Sequence, residues 1–192
     1  EKLDFLRGGT VDAEVAVVFD WENRWAIQGA CGPRHEDKHY AVTCQRHYRM
    51  LWKRGVATDV ISMDHDFSAY RLVIAPMLYM VRPGVAERIE DFVNQGGAFV
   101  TTYLSGIADQ NDLCFLGGFP GPLRKVLGIW SEELDVLYDA DRNSVVMISG
   151  NELALDGVYD CGVFCDLVRS EGAEVLAEYG EDFYAGRPAL TS

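Results

Sequence analysis

The apolar tetrapeptide Leu72-Val73-Ile74-Ala75 constrains this chain most. Four consecutive apolar residues, two of them β-branched, leave no polar face, so they predict a strand buried on both sides. The sequence after it completes a unit. Pro83 falls where the first turn of a helix tolerates proline. Val85, Ile89, Phe92 and Val93 then recur at helical spacing, with Glu87, Arg88, Glu90 and Asp91 between them. Gly96-Gly97 offers the left-handed conformation that ends a helix. The run AFVTTYL over residues 98–104 reads as a second strand. Strand, helix and strand in this order form a βαβ crossover, whose two strands are parallel neighbours.

The flanking sequence repeats the theme. Residues 14–20, EVAVVFD, predict another buried strand, followed by a polar aromatic loop from Trp21 to Trp25 and a flexible segment around Gly29, Gly32 and Pro33. Residues 36–54 read as a helix with Tyr40, Cys44, His47, Tyr48 and Leu51 on one face, and residues 57–62 as a short strand. Past the breaker-rich loop of residues 117–122, a short helix is expected at 123–127. Strand-like pieces follow at 134–138, 144–148, 161–168 and 175–179, which predict an antiparallel extension with hairpins. The whole is an α/β fold, an open and mostly parallel sheet with helices on both faces. In such sheets the functional crevice lies at the carboxyl ends of the strands, where strand order reverses. Here residues 20–25, 76–77 and 103–106 are expected to line it.

Length and composition narrow the function. The 192 residues suit one domain. A net charge of −13 argues against nucleic acid and against anionic membrane surfaces, and no apolar run is long enough to span a bilayer. Five cysteines, with no leader pattern ahead of them, predict reduced thiols and a cytoplasmic location. A start at Glu1 and an end in the strand-like PALTS suggest a piece of a longer polypeptide, with residues 1–12 as a lead-in docked through Leu3, Phe5 and Leu6.

Each candidate for chemistry has a plainer rival. Asp20 and Glu22, two apart on an extended strand, would sit roughly 7 Å apart, near the spacing of inverting glycosidases. Capping loop amides or pairing with Arg24 is the plainer reading, because strand ends commonly carry such acids. Cys31, His35 and His39 have a ligand-like spacing with Cys44 beyond, but a structural zinc needs four placed ligands. His39 and His47 read better as helix residues, so no metal is expected. Cys161 and Cys165 read as small core residues on one strand face. A phosphate loop would need glycines where this chain has FDWENRWAI, so no nucleotide or flavin cofactor is expected. The elbow at residues 102–106 offers Ser105 but no cysteine, and all four histidines precede residue 66. Trp21, Trp25, Phe119 and Trp130 stand on loops or loop edges, where aromatics and arginine suit protein contacts. Trp21, Arg24, Trp25 and Phe119 are therefore the candidate interface residues, and folding back onto the domain's own core is the rival reading.

Four longer stretches carry a resemblance: FDWENRWA at 19–26, APMLYMVRPGVAERIEDFV at 75–93, NDLCFLGGFPGPLRKVLGIW at 111–130 and EGAEVLAEYGEDFYAGRPALT at 171–191. Together they resemble the central trimerisation domain of glycoside hydrolase family 42 β-galactosidases. The resemblance implies a flavodoxin-like three-layer αβα domain, similar to class I glutamine amidotransferases without their nucleophile. It implies a homotrimeric parent that hydrolyses terminal β-D-galactosides. In that family a catalytic (β/α)8 barrel precedes this domain, and the barrel carries the catalytic glutamates and, in some members, a cysteine-bound zinc. None of those residues maps onto this chain, so no catalytic, cofactor or metal residue is expected and the chain alone is expected to be inactive. The rival functions are an amidotransferase-like enzyme using Ser105, Tyr103 or Glu22, and a small-molecule-binding module in the same crevice.

Overall fold

The computed structural model describes residues 8, 9, 11–32, 34, 35 and 38–192. Leu3, Phe5 and Leu6 of the expected lead-in, and Glu36 at the expected helix start, lie outside the described residues.

Four short strands, β1 (Val15–Val18), β2 (Thr58–Ile61), β3 (Leu72–Ala75) and β4 (Ala98–Thr101), pair in parallel in the order β2-β1-β3-β4. Val73 stands opposite both Ala16 and Phe99, so β3 is flanked on both sides as its composition requires. Strand order reverses between β1 and β3, which is the crevice position expected from the sequence.

The two-residue period of the strands divides the core. On one face Ala16, Val18, Val73 and Ala75 pack against Val85, Ile89 and Phe92 of helix α3 (Val85–Asn94). On the other, Val17 and Ile74 meet Ala26 and Ile27 of α1 (Trp21–Gly29), with Tyr40 and Cys44 of α2 (Tyr40–Lys53). A short α4 (Arg124–Leu127) follows a 3-10 turn at Gly121–Leu123, and the buried Leu123 joins the α3 side.

The remainder is antiparallel, as expected. Strand β5 (Ile129–Val136) pairs with β8 (Phe164–Ser170). A second sheet takes the order β10-β9-β6-β7 from β6 (Asn143–Met147), β7 (Val158–Cys161), β9 (Val175–Tyr179) and β10 (Pro188–Thr191). A small core shared by the two antiparallel sheets gathers Leu137, Cys165, Leu167, Tyr179 and Tyr184.

Several local expectations need correction. Trp21 to Trp25 is not a loop but the first turns of α1, because Asp20 caps it through its side chain. Pro83 precedes α3 instead of entering it, with Gly84 at the cap in a left-handed conformation, φ 83°. Helix α2 starts at Tyr40, after His39 at φ 52°. Strand β4 stops at Thr101, since Leu104 turns the backbone with φ 58°. Residues 161–168 form no single strand: Gly162 and Val163 separate β7 from β8, which belong to different sheets. Cys161 and Cys165 therefore lie on different strands, their sulfurs 3.8 Å apart. Trp130 is the second residue of β5, at a loop edge.

Val73 has no exposed surface and packs in the α3-side core. Burying such a side chain stabilises by about 1.5–3 kcal/mol, and an unpaired charge there costs several kcal/mol more. Val73→Asp is expected to abolish soluble, cooperatively folding protein, measured by soluble yield and a thermal melt.

Candidate functional site

At the carboxyl end of β1 the chain spends its best anion site on itself. Asp20 is buried, and its Oδ1 accepts from the Asn23 amide at 3.0 Å while Oδ2 accepts from the Met63 amide at 3.2 Å. Arg82, 62 residues away, clamps both oxygens, with Nη1 donating to Oδ1 at 3.0 Å and Nη2 to Oδ2 at 2.8 Å. Four donors fill the accepting capacity of one carboxylate. Burial alone would raise the pKa of this group, but the Arg82 bonds and the two amides outweigh it and hold it below the ordinary value. The same guanidinium reaches Glu22 at 2.9 Å and Asp64 at 3.0 Å. Asp20 and Glu22 thus share a cation instead of facing a substrate. Capping was the right alternative and Arg24 the wrong partner.

Asn23, one turn into α1, closes the crevice further. Its Nδ2 donates to the Met77 carbonyl at 2.9 Å, and its Oδ1 accepts from the Met80 amide at 2.8 Å. A buried side-chain amide used in this way stitches the segment after β3 to the helix after β1. Sequence reasoning passed over Asn23 and Arg82. The asparagine stood in a segment read as a loop, and the arginine lies far along the chain.

The elbow after β4 is equally committed. Ser105 is buried, and its Oγ accepts from the Leu78 amide at 3.0 Å, donates to the Thr102 carbonyl at 2.7 Å and lies 2.7 Å from Thr101 Oγ1. The residue displayed by the left-handed turn is Leu104, itself buried. A nucleophile needs a base within hydrogen-bond reach and a free lone pair; Ser105 has neither among the described residues. Tyr103 stacks on Phe164 of β8, with ring centroids 5.5 Å apart. The Leu104 amide donates to Asp166 Oδ2 at 3.2 Å, joining the parallel and antiparallel halves. Asp166 as a residue is half-buried, but its carboxyl is enclosed at this junction. Burial pushes its pKa from 3.8 up to about 7, against the opposing bond from Leu104.

The ligand-like spacing of residues 31–44 does not converge. Cys31, His35 and His39 are exposed, whereas Cys44 is in the core beside Tyr40. Among the described residues no three His, Cys, Asp or Glu side chains come together to hold a metal. A cleft of about 290 Å³ opens nearby, lined by Arg24, Ile27, His35, Lys38, His39 and Tyr40. The Lys38 ammonium points away into a bond with the Ala30 carbonyl. No helix among the described residues is long and apolar enough to cross a membrane.

The surface differs. Trp21 and Trp25 are 54% and 62% exposed on the outer side of α1, and the Arg24 guanidinium lies over the Trp21 ring at 5.0 Å from its centroid. Phe119 is half-buried, its carbonyl accepting from the Ser131 amide at 2.7 Å. Trp130 is also half-buried, between Arg124 and Arg169. The structure therefore displays Trp21, Arg24 and Trp25 together and withdraws Phe119 partly into the fold.

Residues 13–192 match the β-galactosidase trimerisation domain family. The chain belongs to that family. It is 63% identical to the β-galactosidase Pbg of Clostridium perfringens over 190 residues, which is 99% of this chain and 28% of that protein. Among solved structures, the β-galactosidase from Rahnella sp. R3 superposes with a TM-score of 0.95 at 56% identity, covering 99% of this chain and 28% of that one. Gan42B, a GH42 β-galactosidase, superposes at 0.90 and 42%, over 99% and 27%. The chain spans little more than a quarter of the length of these relatives.

For a trimerisation domain a closed crevice and a displayed helix face fit one logic, and the closure can be measured. Asp20→Ala removes a helix cap and takes from a largely buried guanidinium its bidentate partner, leaving it only the exposed Glu22 and Asp64. It is expected to lower the unfolding free energy of this chain by about 2–4 kcal/mol. Glu22→Ala, on a side chain 58% exposed, should cost no more than about 0.5–1 kcal/mol. Denaturant titration compares them directly.

The junction carboxyl gives a pH dependence of definite sign. Its folded pKa, about 7, is raised above the ordinary 3.8, so the folded chain holds this proton more tightly than the unfolded one. Its contribution to stability is complete below the ordinary value and is lost as pH rises through 7. Asp166→Asn, which keeps an acceptor for Leu104, should gain stability relative to the parent chain as pH rises from about 4 to 7, and gain no more above that range. Chemical denaturation across that range at constant ionic strength checks it.

Proposed function

We propose that this chain is the trimer-forming module of a larger, cytoplasmic β-galactosidase that hydrolyses terminal β-D-galactosides. In this reading it is a flavodoxin-like αβα domain whose crevice has been given over to internal bonds. A catalytic barrel precedes it, residues 1–12 form the connection, and the active-site carboxylates belong to that barrel. Trp21, Arg24 and Trp25 form part of the subunit contact, and Phe119 supplies a second, smaller part. The observation that carries the reading is the contrast between the two regions. Asp20, Asn23 and Ser105 at the strand ends are paired internally, while Trp21, Arg24 and Trp25 stand on the outer side of α1 with both rings more than half exposed. Rings of this kind, held on a helix, lose little entropy on association, and interface energy concentrates in tryptophan and arginine.

The test uses the full-length polypeptide. Trp21→Ala with Trp25→Ala is expected to raise the concentration at which the trimer dissociates by about tenfold or more, read by mass photometry on dilution. The melting temperature of the separate chain should stay unchanged, because these rings lie outside its cores. An equal loss in the separate chain would make them folding residues and move the contact elsewhere.

A further inference from the structure

The net charge of −13 conceals a strongly divided surface. Residues 38–54 contain Lys38, Arg46, Arg49, Lys53 and Arg54 and not one acidic residue. Residues 129–192 contain fourteen Asp and Glu against Arg142, Arg169 and Arg187. On α2, Arg46, Arg49 and Lys53 share the outward face at helical spacing, with Val42 and Met50 exposed beside them. Among the described residues no carboxylate lies within ion-pair range of these three. This face continues the layer that displays Trp21 and Trp25, since α1 and α2 cover the same side of the sheet.

The complementary surface lies in the antiparallel half. Among the described residues strand β7 pairs with β6 alone, which leaves its other edge open. The segment leading into it and the strand itself expose Leu155, Val158 and Tyr159. Glu152, Asp156 and Asp160 are exposed among them. Open apolar edges invite pairing with other strands, and acidic residues along the edge oppose that. The same residues fit a basic, apolar helix face.

We propose that the basic outer face of α2, continuous with Trp21 and Trp25, docks on the acidic β7 edge of a second copy of this chain. This rests on the trimer reading above and deepens it. Symmetry supports the pairing. A two-fold contact places a patch against itself, which here would set arginine against arginine. A three-membered ring needs two different patches that complement one another around the axis. Helix and edge meet that requirement in charge and in apolar content.

Charge exchange in the full-length protein tests it. Arg46→Glu, Arg49→Glu and Lys53→Glu together are expected to raise the dissociation concentration of the trimer by about tenfold or more, as like charges now meet. Glu152→Lys, Asp156→Lys and Asp160→Lys should do the same. Combining both sets should bring dissociation back to within about threefold of the parent, because each reversed patch again faces its opposite. A trimer that ignores either set, or a combination as weak as the single sets, overturns this inference and leaves the trimer reading standing. A parent protein that never forms a trimer overturns both. Should the reversed helix fail to fold, Arg46→Gln, Arg49→Gln and Lys53→Gln replace it. Dissociation of the parent must then rise with salt more steeply than that of the neutral variant, and equal slopes overturn the inference.

Discussion

The bidentate pair between Asp20 and Arg82 is the constraint on which the parallel half depends. A carboxylate at the end of β1 starts a helix with a weakly patterned sequence by accepting from the Asn23 amide, and it ties down the segment after β2 by accepting from Met63. The guanidinium that neutralises it comes from the connection between β3 and α3. Three separate stretches of chain are thus fixed at one point, at the strand ends where order reverses. Desolvating both ions is unfavourable taken alone. It is sustained because all four accepting positions of the carboxylate are filled and because α1 could not start where it does without the cap.

That arrangement determines what the crevice can do. Open α/β sheets ordinarily leave the helix N-terminus and the strand-end amides free for a ligand. Here Asp20 occupies the first, Asn23 bridges the segment beyond β3, and Ser105 ties the elbow to Leu78. The fold keeps the geometry of a site and fills it with its own side chains. Shape alone would have suggested an enzyme, whereas the hydrogen-bond partners point to a scaffold.

Much of this architecture was legible in the sequence. LVIA is too continuous for anything but a doubly covered strand, and its crossover to AFVT follows from the intervening helical spacing and the Gly-Gly stop. The helix at Trp21 was not legible, because its residues show little apolar periodicity and its stability comes from a cap and from partners 54 and 62 residues away. Long-range polar bonds leave no periodic trace. The break between Cys161 and Cys165 was hidden for a similar reason. Val163 takes a positive φ of 77° with only Gly162 to announce the turn, so an apolar run read as one strand is two. Of the candidate interface residues, Trp21, Arg24 and Trp25 were found by type alone, while Phe119 was placed too far outside, because its bond to Ser131 draws it toward β5.

Net charge describes the whole chain but misdescribes its parts. An average of −13 implies a uniformly repulsive surface, on which copies of the chain would avoid one another. The fold sorts the charges instead. Helix α2 carries cations without a single acid between residues 38 and 54, and residues 129–192 hold fourteen acids against three arginines. At physiological salt, fields decay within about 8 Å, so a docking partner meets the local patch and not the sum. Two copies of an acidic protein can then attract each other in one relative orientation and repel in the rest. Such a surface selects a head-to-tail contact before any apolar group is buried, and the exposed tryptophans, Met50 and Val158 need only supply affinity to a geometry the charges have already chosen.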